Sequence, residues 1–131
     1  MKTNRRTFLG GVSTAAVLSA SGVAFAQKKY DDGATDKEIK IGNTNPYSGP
    51  ASSYGVIGKC IEAYWKSVND RGGINGRKVN FVTRDDGYSP PKTVELVRQL
   101  VEQEKVLCMF QTLGTPTNTA IHKYMNQKKV P

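Results

Sequence analysis

The chain has 131 residues, with Lys+Arg 19 against Asp+Glu 11 and 37% hydrophobic residues. That is room for one small domain and not two, and the even spread of apolar residues after Tyr30 excludes a disordered or low-complexity protein. Cys60 and Cys108 stand far apart in sequence with no Cys or His beside them at ligand spacing, which excludes a zinc site or a disulfide framework.

Residues 1–26 have the three zones of a secretory signal. Lys2, Arg5 and Arg6 form a positive start, Phe8 to Val23 is uncharged and mildly apolar, and Ala24-Phe25-Ala26 is a small-x-small cleavage site before Gln27. Asn4-Arg5-Arg6-Thr7-Phe8-Leu9 is similar to the twin-arginine signal. The stretch is too polar and too short for a membrane anchor. A chain starting at Gln27 carries 16 basic and 11 acidic residues, net +5 instead of +8. The remaining basic residues are single or paired and not interleaved with aromatics, so no nucleic-acid surface is expected. The expected location is the periplasm or outside the cell.

Residues 27–37 are polar and aperiodic and read as a flexible arm. Glu38 to Gly42 alternates as a first strand, followed by a loop from Asn43 to Ser53. Ile57, Cys60, Ile61, Tyr64, Trp65 and Val68 recur at spacings of three and four and predict a helix over 53–70 with that stripe, Cys60 included, facing a core. Gly72-Gly73 stops it, and Asn75-Gly76 is a tight turn into a second strand, Lys78 to Arg84. Ser89 is the expected cap of a second helix with Pro90 and Pro91 in its first turn and Val94, Val97, Leu100 and Val101 inward. Val106 to Phe110 is a continuous apolar run, expected as a third strand covered on both sides. Thr115 is the expected cap of a third helix with Ala120, Ile121, Tyr124 and Met125 inward, and Val130-Pro131 opens a fourth strand.

Strand and helix thus alternate, which predicts an α/β fold: a parallel sheet with helices on both faces. Ligands in such folds bind where strands end and loops lead into helices. The loops meeting that condition are Asn45 to Ser53, Asp85 to Ser89 and Thr112 to Thr115.

Several motifs in register are similar to the solute-binding proteins of branched-chain amino acid ABC transporters, the leucine-binding group with the type I periplasmic-binding fold. They are Ile39 to Gly42 with Tyr47-Ser48-Gly49-Pro50-Ala51 and Tyr54-Gly55; Asn69 to Val79, with its Gly-Gly-Ile-x-Gly-x-Lys core; Asp85-Asp86; and Val106 through Gly114-Thr115-Pro116. The resemblance covers about residues 38–131. It implies a protein without catalytic residues or cofactor that captures a small solute, an amino acid or a related carboxylate or amide, for an ABC permease in the inner membrane, as a monomer. By motif, Ser48 and Tyr54 fall in the first ligand loop, and Leu113, Gly114 and Thr115 in the loop that would hold the solute's carboxylate. Leu-Gly-Thr-Pro-Thr stands where many members carry hydroxyl-rich sequence, which shifts the expectation toward an aromatic or aliphatic acid. Residues 38–131 correspond to less than one complete lobe, so weak independent stability is expected.

The alternative is an exported α/β enzyme or sensor using the Asp85-Asp86 loop. Against it, the two side chains would point to opposite sides and no third ligand is near in sequence, so no metal is expected and the pair reads as structural. His122 reads as an exposed or half-buried helix position, and no serine has a base partner. Tyr64 and Trp65 read as packing residues, Cys60 and Cys108 as buried free thiols, with a disulfide between them as the second option.

Overall fold

A computed structural model describes residues 29–131. The export segment and the first residues of the arm lie outside the described residues. Three parallel strands, β1 (Glu38–Asn45), β2 (Lys78–Asp85) and β3 (Cys108–Met109), lie in the order β2-β1-β3. The connecting helices are α1 (Gly55–Asp70), preceded by a 3-10 turn at Ser52–Tyr54, and α2 (Pro90–Glu102); α3 (Thr115–Lys128) follows β3. No helix among the described residues is long and apolar enough to cross a membrane.

Adjacent strand residues point to opposite faces, and Met109 and Phe110 show which helix covers which face. Met109 packs with Val97, Ile121 and Met125 of α2 and α3. Phe110 meets Trp65 of α1 edge-on, with ring centroids 5.6 Å apart. One face therefore carries α1 and the other carries α2 and α3, as the alternation of elements predicts.

Register runs without a break from Glu38↔Lys78 to Asn45↔Asp85. β1 thus continues three residues past its expected end. Asn43 and Asn45 are poor strand formers, but with Thr44 between them they are fully buried in the ladder, and both asparagine side chains are hydrogen-bonded there. β3 is shorter than expected, because the Val106 amide still donates to the Leu100 carbonyl at the end of α2. Lys105 and Gln111, both at φ 53, bracket the short extended stretch. Its edge is already engaged on the far side, where the Met109 amide donates to the Pro131 carbonyl at 2.7 Å.

The stop after α1 forms as its glycines dictate. The Gly73 amide closes on the Val68 carbonyl, and Asn75 and Gly76, at φ 51 and 78, make the tight turn in which Ile74 and Arg77 exchange both backbone hydrogen bonds. Residues 31–37, read as an arm, fold back on the sheet: Ala34 bridges Ile39, and the Lys40 amide donates to the Gly33 carbonyl.

The stripe of α1 differs from the expectation. Cys60 is exposed, and Ile57 and Tyr64 are 39% and 59% exposed. Of the expected stripe Trp65 does face the sheet side, against Phe110, and the other residues that close on it are Gly55, Gly58 and Asn69. Gly55 and Gly58 lie against the Tyr47 ring, and Asn69 exchanges two 2.7 Å hydrogen bonds with the backbone of Val79. Glycines carry no hydrophobicity, so the apolar pattern points to the neighbouring side of the helix. On α3, Thr117 is buried where Ala120 was expected inward, and Ala120 is exposed.

Candidate functional site

The carboxyl ends of β1, β2 and β3 lead into the three loops, and buried polar side chains tie these loops together. Asp85 closes β2. Its Oδ1 accepts from the amides of Tyr47 (2.9 Å), Ser48 (3.1 Å) and Gly87 (3.0 Å), and its Oδ2 from the Ser48 hydroxyl (2.5 Å). Burial raises the Asp85 carboxyl, but these donors outweigh it and hold the group below the usual carboxylate range. The first loop is thereby fastened to the second.

Asp86 points to the other side, toward α2, and is fully buried. It accepts from the Tyr88 amide at 2.9 Å, and Thr93 Oγ1 lies 2.9 Å from both Asp86 Oδ2 and the Ser89 carbonyl. Ser89 occupies the cap position but makes no side-chain cap bond, so Asp86 and Thr93 hold the start of α2 in its place. Every carboxylate oxygen of the pair accepts a hydrogen bond within the chain, in agreement with the structural reading. Among the described residues no cluster of three or more His, Cys, Asp or Glu could hold a metal.

The third loop is tied to β1. Asn43 Nδ2 donates to the carbonyls of Phe110 (2.8 Å) and Gln111 (2.9 Å), and the Leu113 amide donates to the Thr44 carbonyl at 3.2 Å. Asn43 Oδ1 accepts from Asn45 Nδ2 (2.6 Å) and Thr83 Oγ1 (2.8 Å). With its proton committed to Asn43, Thr83 accepts from the Tyr47 hydroxyl at 2.7 Å. Burial raises the Tyr47 phenol, which keeps it a neutral donor.

Of the residues singled out from sequence, Ser48 is at the exposed rim of the first loop, bonded to Asp85. Tyr54 ends the 3-10 turn and is 57% exposed. Leu113 and Gly114 are half-buried, and Thr115 is exposed as the first residue of α3. Thr115 is not the cap: Gly114, at φ 107, holds that position, and the Thr117 hydroxyl turns back to the Leu113 carbonyl at 2.6 Å. The first helical bond, from the Asn118 amide to the Gly114 carbonyl, leaves the amides of Thr115 and Thr117 outside the helix's own ladder. The first and second loops touch near Gly49 and Gly87, and Tyr88 of the second lies against Gly114 of the third.

Asn43, Tyr47 and Tyr88 escaped the sequence reading. Asn43 and Tyr47 sit in a stretch whose Asn and Pro content signals loop, while Tyr88, an aromatic directly after Asp-Asp-Gly at a strand end, was a usable signal. A concavity of about 860 Å³ is lined by Tyr30, Asp32, Leu107, Cys108, Lys128 and Pro131 and shares no residue with the three loops. It is the open side of β3, and the polar bracing lies in the loops.

The sequence pattern of the family described as "Periplasmic binding protein" matches residues 38–131. A Leu/Ile/Val-binding protein homolog of Brucella abortus is 34% identical over 96 residues, 72% of this chain and 23% of the relative. A fatty acid ABC transporter substrate-binding protein from Thermomonospora curvata superposes with a TM-score of 0.69 at 33% identity, covering 78% of this chain and 26% of that one. A solute-binding protein of an ABC transporter from R. palustris, in complex with benzoate, superposes with a TM-score of 0.62 at 30% identity, covering 72% and 26%. The chain spans about a quarter of the length of these relatives. With the matched pattern covering every strand and helix described above, the chain belongs to the periplasmic binding protein family.

Proposed function

We propose that the chain supplies one wall of the solute site in an extracytoplasmic substrate-binding component of an ABC transporter. It captures a small carboxylate or amide and delivers it to an ABC permease in the inner membrane, acting as a monomer and without catalysis, cofactor or nucleic acid. The observation that carries this reading is the bracing of three strand-end loops by Asp85, Asn43 and the Tyr88–Gly114 contact. A solute held by donors from several loops needs those loops fixed relative to one another.

In this reading Ser48 and Tyr54 serve from the first loop, with the Tyr54 ring against the apolar part of the solute. Leu113, Gly114 and Thr115 serve from the third, where free amides at the start of α3 and the Thr115 hydroxyl suit a carboxylate. The relatives named for fatty acid and found with benzoate support a carboxylate with an apolar body; the Leu/Ile/Val-binding homolog keeps amino acids within the class. Residues 1–26 direct export by the twin-arginine route, with cleavage after Ala26, and the protein works in the periplasm.

The test is a chimera in which residues 38–131 replace the matched segment of the Brucella relative, titrated calorimetrically with benzoate, octanoate and leucine. Saturable heat with at least one supports the reading. No heat with any of them, together with turnover that requires a divalent metal, would favour an exported enzyme or sensor built on the Asp85-Asp86 loop.

A further inference from the structure

We infer that Tyr88 is a specificity-determining residue of this site, its ring forming the surface on which the apolar body of an aryl or acyl carboxylate packs. The inference rests on the solute-binding reading above.

Tyr88 has φ 62, a left-handed conformation uncommon for a residue with a β-carbon. Buried groups hold it there. The Tyr88 amide donates to Asp86 Oδ1 at 2.9 Å and the Ser89 amide to the Asp86 carbonyl at 3.0 Å, while Asp86 is fully buried. The backbone therefore aims the ring, and packing alone does not. The direction is across to the third loop: a β-carbon on Gly114 would lie 2.6 Å from Tyr88 Cε2 and 3.2 Å from Cζ. Glycine at 114, which its φ of 107 already favours, leaves the ring the room it takes, and a β-carbon there would displace it.

Despite this seating, Tyr88 is 37% exposed. A tyrosine serving the core would be covered, and one serving solubility would need neither a left-handed backbone nor a facing glycine. Tyr88 stands on the rim between Gly87, which adjoins Ser48 of the first loop, and Gly114 beside the free amides of α3. A carboxylate on those amides brings its body next to the ring. Aromatic and aliphatic groups gain from such a contact, and a bare carboxylate does not.

The test uses the chimera that carries residues 38–131, isotope-labelled and taken as wild type when that segment is unsubstituted, with sodium benzoate, sodium acetate and leucine as probes and NMR cross-peaks as readout. In the wild-type protein benzoate is expected to shift the Tyr88 ring and Gly114 signals. Tyr88→Ala should weaken benzoate about tenfold and leave acetate unchanged, while Tyr88→Phe, which keeps the ring, stays within about twofold. Equal benzoate affinity in wild type and Tyr88→Ala, or a parallel fall for acetate, overturns the inference and leaves the solute-binding reading standing. If none of the probes moves a wild-type resonance, the solute-binding reading fails and the inference with it. The same spectra report folding. Should Tyr88→Ala lose dispersion, Tyr88→Leu replaces it, with a several-fold loss for benzoate alone expected and no loss overturning the inference.

Discussion

Met109 sits among Val97, Ile121 and Met125 between α2 and α3, whereas Phe110, one residue on, meets Trp65 and offers its carbonyl to Asn43 on the side of α1. The first face is closed by aliphatic side chains, with Val97 and Leu100 fully buried. On the second, the carboxyl half is a chain of hydrogen bonds from Tyr47 through Thr83 to Asn43 and Asn45, and the apolar stripe of α1 runs partly to solvent. Apolar packing is non-directional and sets how firmly the fold holds. Hydrogen bonds are directional and set where the loops sit. The sheet thus divides its labour between faces, with stability on one and loop geometry on the other.

The sharpest way to break that division is on the aliphatic face. Leu100→Ala removes a fully buried side chain beside Val106, whose amide bonds the Leu100 carbonyl, and should cost about 3 kcal/mol. Urea unfolding followed by circular dichroism measures it. A loss below about 1 kcal/mol would mean that the α2 side is not the stabilising one.

What was legible in the sequence divides along the same line. Val97, Leu100, Ile121 and Met125 announce themselves by helical spacing, and the parallel sheet follows from alternation, so the aliphatic face was readable apart from α3, where Ala120 was expected inward and Thr117 is buried instead. The α1 face was not. Gly58 contacts Tyr47 because it has no side chain, and a pattern of hydrophobic residues cannot register that, so Cys60 and Tyr64 read as core beside Trp65, the one of the three that packs on Phe110, while Gly58 and Asn69 were passed over. Asn43 and Asn45 fail for a related reason. Their composition signals a loop, yet partners distant in sequence, Thr83 and Phe110, satisfy the Asn43 side chain within the sheet. The three strand-end loops were placed by topology, and the residues named in them came from motif. The wiring among the loops depends on contacts that sequence spacing does not encode.

A second prediction separates loop bracing from core packing by pH. Asp85 is more acidic folded than unfolded, its donors outweighing burial. Its ionised form therefore contributes fully above the unfolded value of about 3.9 and loses that contribution as the pH falls from there through the folded value. Asp85→Asn keeps the shape but puts an NH₂ where one of the acceptor oxygens was. At pH 7 it should cost about 1 kcal/mol, solvent at the loop limiting the loss. Urea midpoints of wild type and Asp85→Asn should converge as the pH drops below about 4. A difference independent of pH would show that the charge of Asp85 is not what fastens the first loop to the second.

The smallest expected effect bears on the rotated stripe of α1. Tyr64 has the spacing of a core residue, yet it is 59% exposed and its contact with Trp65 is edge-on at 5.2 Å, so little apolar surface depends on it. Tyr64→Ser should change stability by less than about 0.5 kcal/mol, the range of a surface substitution. Trp65→Ala, one position along the same helix, should cost several times more, because Trp65 fills the space between α1 and Phe110. The ratio of the two carries the argument, since a general weakening of α1 would lower both together. Comparable losses would put the Ile57–Cys60–Tyr64 side of the helix against the sheet. A large loss for Trp65 with almost none for Tyr64 fixes the orientation that lets Gly55 and Gly58 close on Tyr47, and with it the footing of the first loop.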